Sequence, residues 1–245
     1  MIIGLSGLAG SGKDTAAKFI VEKYNLNKIA LADPMKRFCK EIYGFSEEQL
    51  WGESELRNKP DRRFPKPGRL AEYARILFDK VLPHDRELAA EYGMDTTILL
   101  KQMECDGWLT PRELLQRTAG DWGRGCYEDT WIDYGINVAR KLNTGLYDYD
   151  KLIGLVDRGQ LGKSGISGVV ISDCRYINEI NKVKAEGGKM IRIVGGKGLK
   201  GDYAKHLSES EQKQIPDSVF DYVILNNKSI SYLENNLMKI FNKLI

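Results

Sequence analysis

Residues 2–15 read Ile2-Ile3-Gly4-Leu5-Ser6-Gly7-Leu8-Ala9-Gly10-Ser11-Gly12-Lys13-Asp14-Thr15. A short apolar run gives way to glycines, then to a lysine that opens a stretch with helical spacing through Ala16, Phe19 and Ile20. Buried parallel strands have this continuous apolar character, and the glycines permit a tight turn after one. Gly7 to Lys13 fits G-x-x-x-x-G-K, in which successive backbone N–H groups surround a phosphate and a helix N-terminus adds partial positive charge. The lysine of such a loop reaches the β- and γ-phosphates. Gly10, Ser11, Gly12, Lys13, Asp14 and Thr15 are the nucleotide-binding candidates. Asp14 stands where Ser or Thr usually binds Mg²⁺. A carboxylate is a competent ligand for that ion, directly or through water, and Thr15 remains for the α-phosphate.

Working outward, Lys28–Leu31 reads as a second strand ended by Asp33-Pro34. The far end repeats the alternation, with strands expected at 168–172, 190–194 and 220–225, a helix from Asn178 to Glu186, and a last helix from Ser229 to Leu244. Five short strands alternating with helices predict a mostly parallel five-stranded sheet covered on both faces. With the phosphate loop, this is an α/β P-loop NTPase three-layer fold. Between 34 and 164 helical patterns and polar loops dominate, and hardly any strand is expected. Thr110-Pro111-Arg112-Glu113 has the form of a capping box with proline at the first helical position. The expected division is therefore a nucleotide-binding core at 1–33 and 165–245, interrupted by a helical substrate-binding insertion at 34–164.

Val169-Val170-Ile171-Ser172-Asp173 puts a second carboxylate at the end of a strand, the end that faces the ligand crevice in an open parallel sheet. Asp14 and Asp173 are the candidate Mg²⁺ organisers, and Arg175 is placed to hold a phosphate bidentately. Lys plus Arg number 37 against 34 Asp plus Glu, a net charge of +3. That balance argues against a general electrostatic grip on nucleic acid. Six basic residues between Arg57 and Arg69 form a local cluster instead, and Arg69 is its candidate for substrate contact. The four cysteines show no C-x-x-C spacing and read as reduced thiols. No apolar run approaches the ~20 residues of a membrane helix, and no signal peptide is recognisable, so a soluble cytoplasmic protein is expected.

The strings SGLAGSGKDT, LADPMKRF, RELLQRTAGD followed by DTWI, ISDCRYINE, AEGGKMIRIV, HLSE and DYVILNN occur in one order. That order resembles the deoxynucleoside monophosphate kinases of tailed bacteriophages, themselves similar to the wider nucleoside monophosphate kinase group. The resemblance implies that Lys13 stabilises the transferring phosphoryl group, with Asp173 and Arg175 as its catalytic companions. Arg175 would clamp the acceptor monophosphate and Glu179 would contact substrate. It also implies Lys36, Arg112, Gln116, Gly120, Asp121 and Trp131 as acceptor contacts. The family's Gly-Thr before the aspartate is Ala119-Gly120 here. The strand and loop around Asn226 would hold the donor's adenine. Residues 195–207, glycine- and lysine-rich, correspond to a lid. By analogy with the family alone the chain would form a homodimer, in the host cytoplasm if phage-encoded.

The function expected is Mg²⁺–ATP-dependent phosphorylation of deoxynucleoside 5′-monophosphates, which supports dNTP synthesis. No strong base is required, because the acceptor is already a phosphate oxygen; this suits a chain with only two histidines. A kinase of another small acceptor, such as dephospho-coenzyme A, fits the same loop and carboxylates. A nucleotide-dependent switch or nucleic-acid accessory protein is the alternative from another class.

Overall fold

The computed structural model describes residues 1–64, 66, 107–159, 165, 168–195 and 207–244. It divides into two units: Met1–Arg37 with Trp122–Ile245, and Phe38–Asp121.

The first unit is built on β1 (Ile2–Ser6), β2 (Asn27–Ile29), β5 (Val169–Cys174), β6 (Lys189–Gly195) and β7 (Tyr222–Asn226). Their order is β2-β5-β1-β6-β7 and every pairing is parallel. All five residues of β1 are buried, as its central place in the sheet requires. Side chains alternate across it. Ile3 and Leu5 face a core shared with Ala16, Ile20, Leu233, Leu237 and Phe241. Those residues come from α1 (Lys13–Tyr24) and a C-terminal helix, Ile230–Leu244. Ile2 faces the opposite core, with Ile132, Ile136, Ile180 and Val183. These belong to two further helices, Thr130–Asn143 and Ile177–Ala185. Helix, sheet and helix thus make three layers, and the α/β P-loop architecture expected from the first fifteen residues is the one observed.

The remaining helices of the described residues are α2 (Asp33–Tyr43), α3 (Glu47–Trp51), α4 (Ser54–Asn58) and α5 (Pro111–Arg117), followed by Thr130–Asn143 as α6, Ile177–Ala185 as α7, Leu207–Gln214 as α8 and Ile230–Leu244 as α9. In the second unit Cys39, Phe45, Leu50, Leu109 and Leu114 form a separate small core. Thr110 caps α5 as the sequence suggests: its hydroxyl accepts the Glu113 N–H at 3.1 Å, and the Glu113 carboxylate accepts the Thr110 N–H at 2.8 Å.

Two features differ from the sequence reading. An antiparallel hairpin, β3 (Tyr147–Asp150) and β4 (Gly154–Asp157), occurs where hardly any strand was expected. Its Tyr-Asp-Tyr-Asp alternation looks polar, yet Tyr147 and Tyr149 pack against the core beside α6. The stretch 122–159 also groups with the sheet, whereas the insertion had been drawn over 34–164, because α6 supplies one of the layers through Ile132, Ile136 and Leu142. Between α5 and α6 the chain forms a π-helical stretch, Thr118–Arg124. Among the described residues no helix is long and apolar enough to cross a membrane.

Candidate active site

β1 and β5 leave the sheet together, since Ser6 stands in register with Cys174. Gly7 and Arg175 therefore emerge side by side at the carboxyl edge, where ligands bind in open parallel sheets.

The phosphate loop is shaped by its glycines. Gly7 and Gly12 have φ of 145° and 100°, values that L side chains rarely adopt. A Cβ on Gly12 would also run into the Asn226 amide, and one on Gly7 into the Ile193 carbonyl. Lys13 begins α1, and its ammonium donates to the carbonyls of Gly7 and Leu8, the latter at 2.7 Å. The cation is thus held inside the curve of the loop. Asn226, at the end of β7, donates its side-chain amide to the Ser11 carbonyl at 2.8 Å, which secures the loop from outside. The Ser11 hydroxyl is buried and has no hydrogen-bond partner among the described residues. Asp14 and Thr15 are exposed in the first turn of α1, and Asp14 stands 3.7 Å from the Lys28 ammonium.

Asp173 accepts the Leu31 N–H at 2.7 Å on one carboxylate oxygen and the Ala32 N–H at 3.1 Å on the other. It therefore fixes the segment between β2 and α2. Desolvation raises its pKa, opposed by these bonds and by Arg175. Glu179 lies inside the first turn of α7, where one carboxylate oxygen accepts the N–H groups of Arg175 at 2.6 Å and Tyr176 at 3.1 Å. Burial pushes its carboxyl up to about 7 despite those bonds. Glu179 thereby sets the backbone from which Arg175 projects.

Of the acceptor candidates, Lys36 lies on α2 one residue before Arg37, half-buried. Trp131 begins α6 and lies against the core, with Gly123 so close to its indole that a Cβ there would enter the ring. In the second unit, Arg112 donates through Nε to Asn58 at 2.5 Å, and Gln116 is half-buried on the same helix, α5. Gly120 and Asp121 lie in the π-helical stretch, Asp121 exposed. Arg69 and the proposed lid beyond Gly195, at 196–206, fall outside the described residues.

The sequence reading missed a polar network beside Asp173. Asp33 accepts the Ala30 N–H at 3.2 Å and the Tyr149 hydroxyl at 3.1 Å. Arg37, one turn along α2, donates to the hydroxyls of Tyr149 at 3.3 Å and Tyr134 at 2.6 Å. The Asp33…Arg37 spacing was visible, but its partners come from the β3–β4 hairpin, 112 residues or more away, and from α6, 97 residues away. Gln212 was likewise unforeseen: buried, it donates to the Ser6 hydroxyl at 3.2 Å and the Cys174 carbonyl at 3.3 Å, bridging the ends of β1 and β5. Among the described residues no cluster of three His, Cys, Asp or Glu side chains forms a ready-made metal site.

The family model for deoxynucleotide monophosphate kinase matches residues 1–59, the span that holds the phosphate loop, Asp33 and Lys36. A protein of Acanthamoeba polyphaga mimivirus named as a deoxynucleotide monophosphate kinase is 29% identical over 230 residues, covering 94% of this chain and 90% of its own. The chain is thus similar to deoxynucleotide monophosphate kinases, over its first 59 residues by the family model and over most of its length by the viral protein. Among solved structures, shikimate kinase from Aquifex aeolicus superposes with a TM-score of 0.41 at 13% identity, over 100% of this chain and 98% of that one. A sugar kinase from a Janibacter species gives 0.39 at 12% identity, over 98% and 94%.

Proposed function

We propose that this kinase transfers the γ-phosphoryl group of Mg²⁺–ATP to the phosphate of a deoxynucleoside 5′-monophosphate, giving the diphosphate and ADP for deoxynucleotide synthesis. The observation that carries the reading is the shared exit of β1 and β5. It sets a lysine-bearing phosphate loop beside a strand-end carboxylate and arginine, Asp173 and Arg175. One of these pieces suits a triphosphate donor and the other a second phosphate.

The residues present fit the donor. The loop leaves no room for a Cβ at Gly7 or Gly12, the buried Ser11 hydroxyl has no hydrogen-bond partner among the described residues, and Lys13 is already turned into the curve. Asp14 and Asp173 are the proposed holders of Mg²⁺, which when bound supplies charge compensation on the phosphate oxygens. An acceptor phosphate oxygen attacks the γ-phosphorus in line while the bond to ADP breaks; Lys13 balances charge on the transferring group. Arg175 holds the acceptor phosphate bidentately, and Glu179 keeps Arg175 in place through two N–H bonds. On the resemblance alone, Arg112, Gln116, Gly120, Asp121, Lys36, Trp131 and Arg69 are proposed acceptor contacts, Asn226 a donor contact, and the active form a cytoplasmic homodimer.

The test is turnover with Mg²⁺–ATP and a panel of dNMPs, NMPs and dephospho-coenzyme A, with diphosphate and ADP measured. Phosphorylation of one or more dNMPs is expected. ATP binding without turnover of any dNMP refutes the proposal, and turnover of dephospho-coenzyme A alone reassigns the acceptor. Arg175→Ala is expected to lose most of kcat/KM while remaining folded.

A further inference from the structure

On the residue that follows Arg175 sits a second guanidinium that neither the family motif nor the resemblance assigns. Arg124, the last residue of the π-helical stretch before α6, holds its Cζ 3.7 Å from the centroid of the Tyr176 ring. Tyr176 follows Arg175 directly in the chain. Arg124 is oriented by donation to the Glu128 carbonyl at 3.2 Å, the Asn178 side-chain oxygen at 3.4 Å and the Glu128 carboxylate at 3.2 Å. A guanidinium stacked and braced in this way has little freedom left to lose on gripping a ligand.

Its charge is weakly compensated. The Arg124 side chain is 14% exposed, whereas the Glu128 side chain it meets is 70% exposed. A solvated carboxylate does little for a mostly desolvated cation. Glu179, a buried carboxyl that feels the charge of Arg124, spends one oxygen on the backbone N–H groups of Arg175 and Tyr176. Burial raises its pKa to about 7, so it is partly neutral at physiological pH. Arg124 and Arg175 thus flank one residue, Tyr176, the first packed on its ring and the second preceding it in the chain.

We infer that Arg124 is a second ligand of the acceptor's phosphomonoester, acting beside Arg175, with the phosphate taking the place of the Glu128 carboxylate. The inference rests on the reading that Arg175 holds the acceptor phosphate.

The experiment measures KM separately for dNMP and for ATP, equilibrium binding of inorganic phosphate, and thermal unfolding, in wild type, Arg124→Ala and Glu128→Gln. Arg124→Ala is expected to raise the dNMP KM and weaken phosphate binding by about 10- to 100-fold, the worth of one charge-assisted bond, with the ATP KM within about twofold. Glu128→Gln alters an exposed side chain and removes the competing anion, so the dNMP KM is expected to fall about two- to fivefold. An unchanged dNMP KM in folded Arg124→Ala overturns the inference, as does a parallel rise in both KM values. If Arg124→Ala does not fold, an unchanged or higher dNMP KM in Glu128→Gln overturns it. A wild type that binds phosphate through Arg124 but phosphorylates no dNMP refutes the proposed function alone. A wild type that phosphorylates dNMPs without dependence on Arg124 refutes this inference alone, and one that neither phosphorylates a dNMP nor binds phosphate refutes both.

Discussion

The Asn226 side-chain amide donates to the Ser11 carbonyl at 2.8 Å, so the last strand of the sheet holds the phosphate loop from outside. The same amide occupies the space that a Cβ on Gly12 would need. Loop shape is thus set jointly by glycines at one end of the chain and an asparagine at the other. Asn226→Ala is expected to raise the KM for ATP about three- to tenfold, the worth of one neutral hydrogen bond, while the dNMP KM stays unchanged. Separate titration of the two substrates checks it.

Lys13 is held by carbonyls of its own loop and needs only to exchange them for phosphate oxygens. In the proposed reaction its charge acts chiefly when negative charge builds on the transferring group. Lys13→Ala is therefore expected to lower kcat by about 100- to 1000-fold, the range seen when one electrostatic stabiliser is removed. Because the side chain lies outside both sheet cores, the unfolding midpoint should move little. Steady-state kinetics and a denaturation curve on the same preparation separate the two effects.

Tyr149 carries the hairpin's contribution to the site, since its hydroxyl is one of the partners of buried Asp33 and also receives Arg37. Tyr149→Phe keeps the ring packing and deletes the hydroxyl. It leaves a buried carboxylate with one bond fewer, and is expected to cost about 1–3 kcal/mol of stability. Urea unfolding measures this directly, and a change below a few tenths of a kcal/mol would show that the network is replaced by water.

Glu179 gives a pH dependence whose sign follows from its burial. Its folded pKa is about 7 against an ordinary 4.5, so between those values the native state holds a proton that the unfolded chain releases. Stability then falls as pH rises through this window. The full penalty, up to about 3 kcal/mol, is present above pH 7 and absent below the ordinary value. Glu179→Gln retains an acceptor for the Arg175 and Tyr176 N–H groups without the titration. The variant should gain on wild type between pH 5 and pH 8, as read from urea midpoints at both pH values.

How much of this was legible in the sequence depends on whether partners lie close along the chain. The phosphate loop, the Thr110 capping box and the apolar runs of the sheet are local patterns, and each is found where the sequence puts it. Asp173 was legible as a strand-end carboxylate, but not its bonds to Leu31 and Ala32, because no periodicity encodes a contact across 142 residues. The β3–β4 hairpin was missed for a related reason. Tyr147 and Tyr149 bury rings while the alternating aspartates stay outward, and a hydropathy pattern counts tyrosine as ambiguous. Tyr176 and Arg124 are ordinary residues until the fold stacks one on the other.

Ser11 is the place where stability and binding should move in opposite directions. Its hydroxyl is buried, with the residue 1% exposed, and no hydrogen-bond partner satisfies it among the described residues. An unpaired buried hydroxyl costs about 1–3 kcal/mol. Ser11→Ala removes the orphaned group without touching the backbone N–H groups that line the loop, so the free protein should unfold at equal or higher denaturant concentration. If the hydroxyl is kept in order to meet a nucleotide oxygen, the same change should raise the KM for ATP by about three- to tenfold. A variant that is more stable and binds ATP as well as wild type would mean that Ser11 serves the loop only through its main chain. A variant that loses stability would mean that the hydroxyl already has a partner in solution, such as a trapped water.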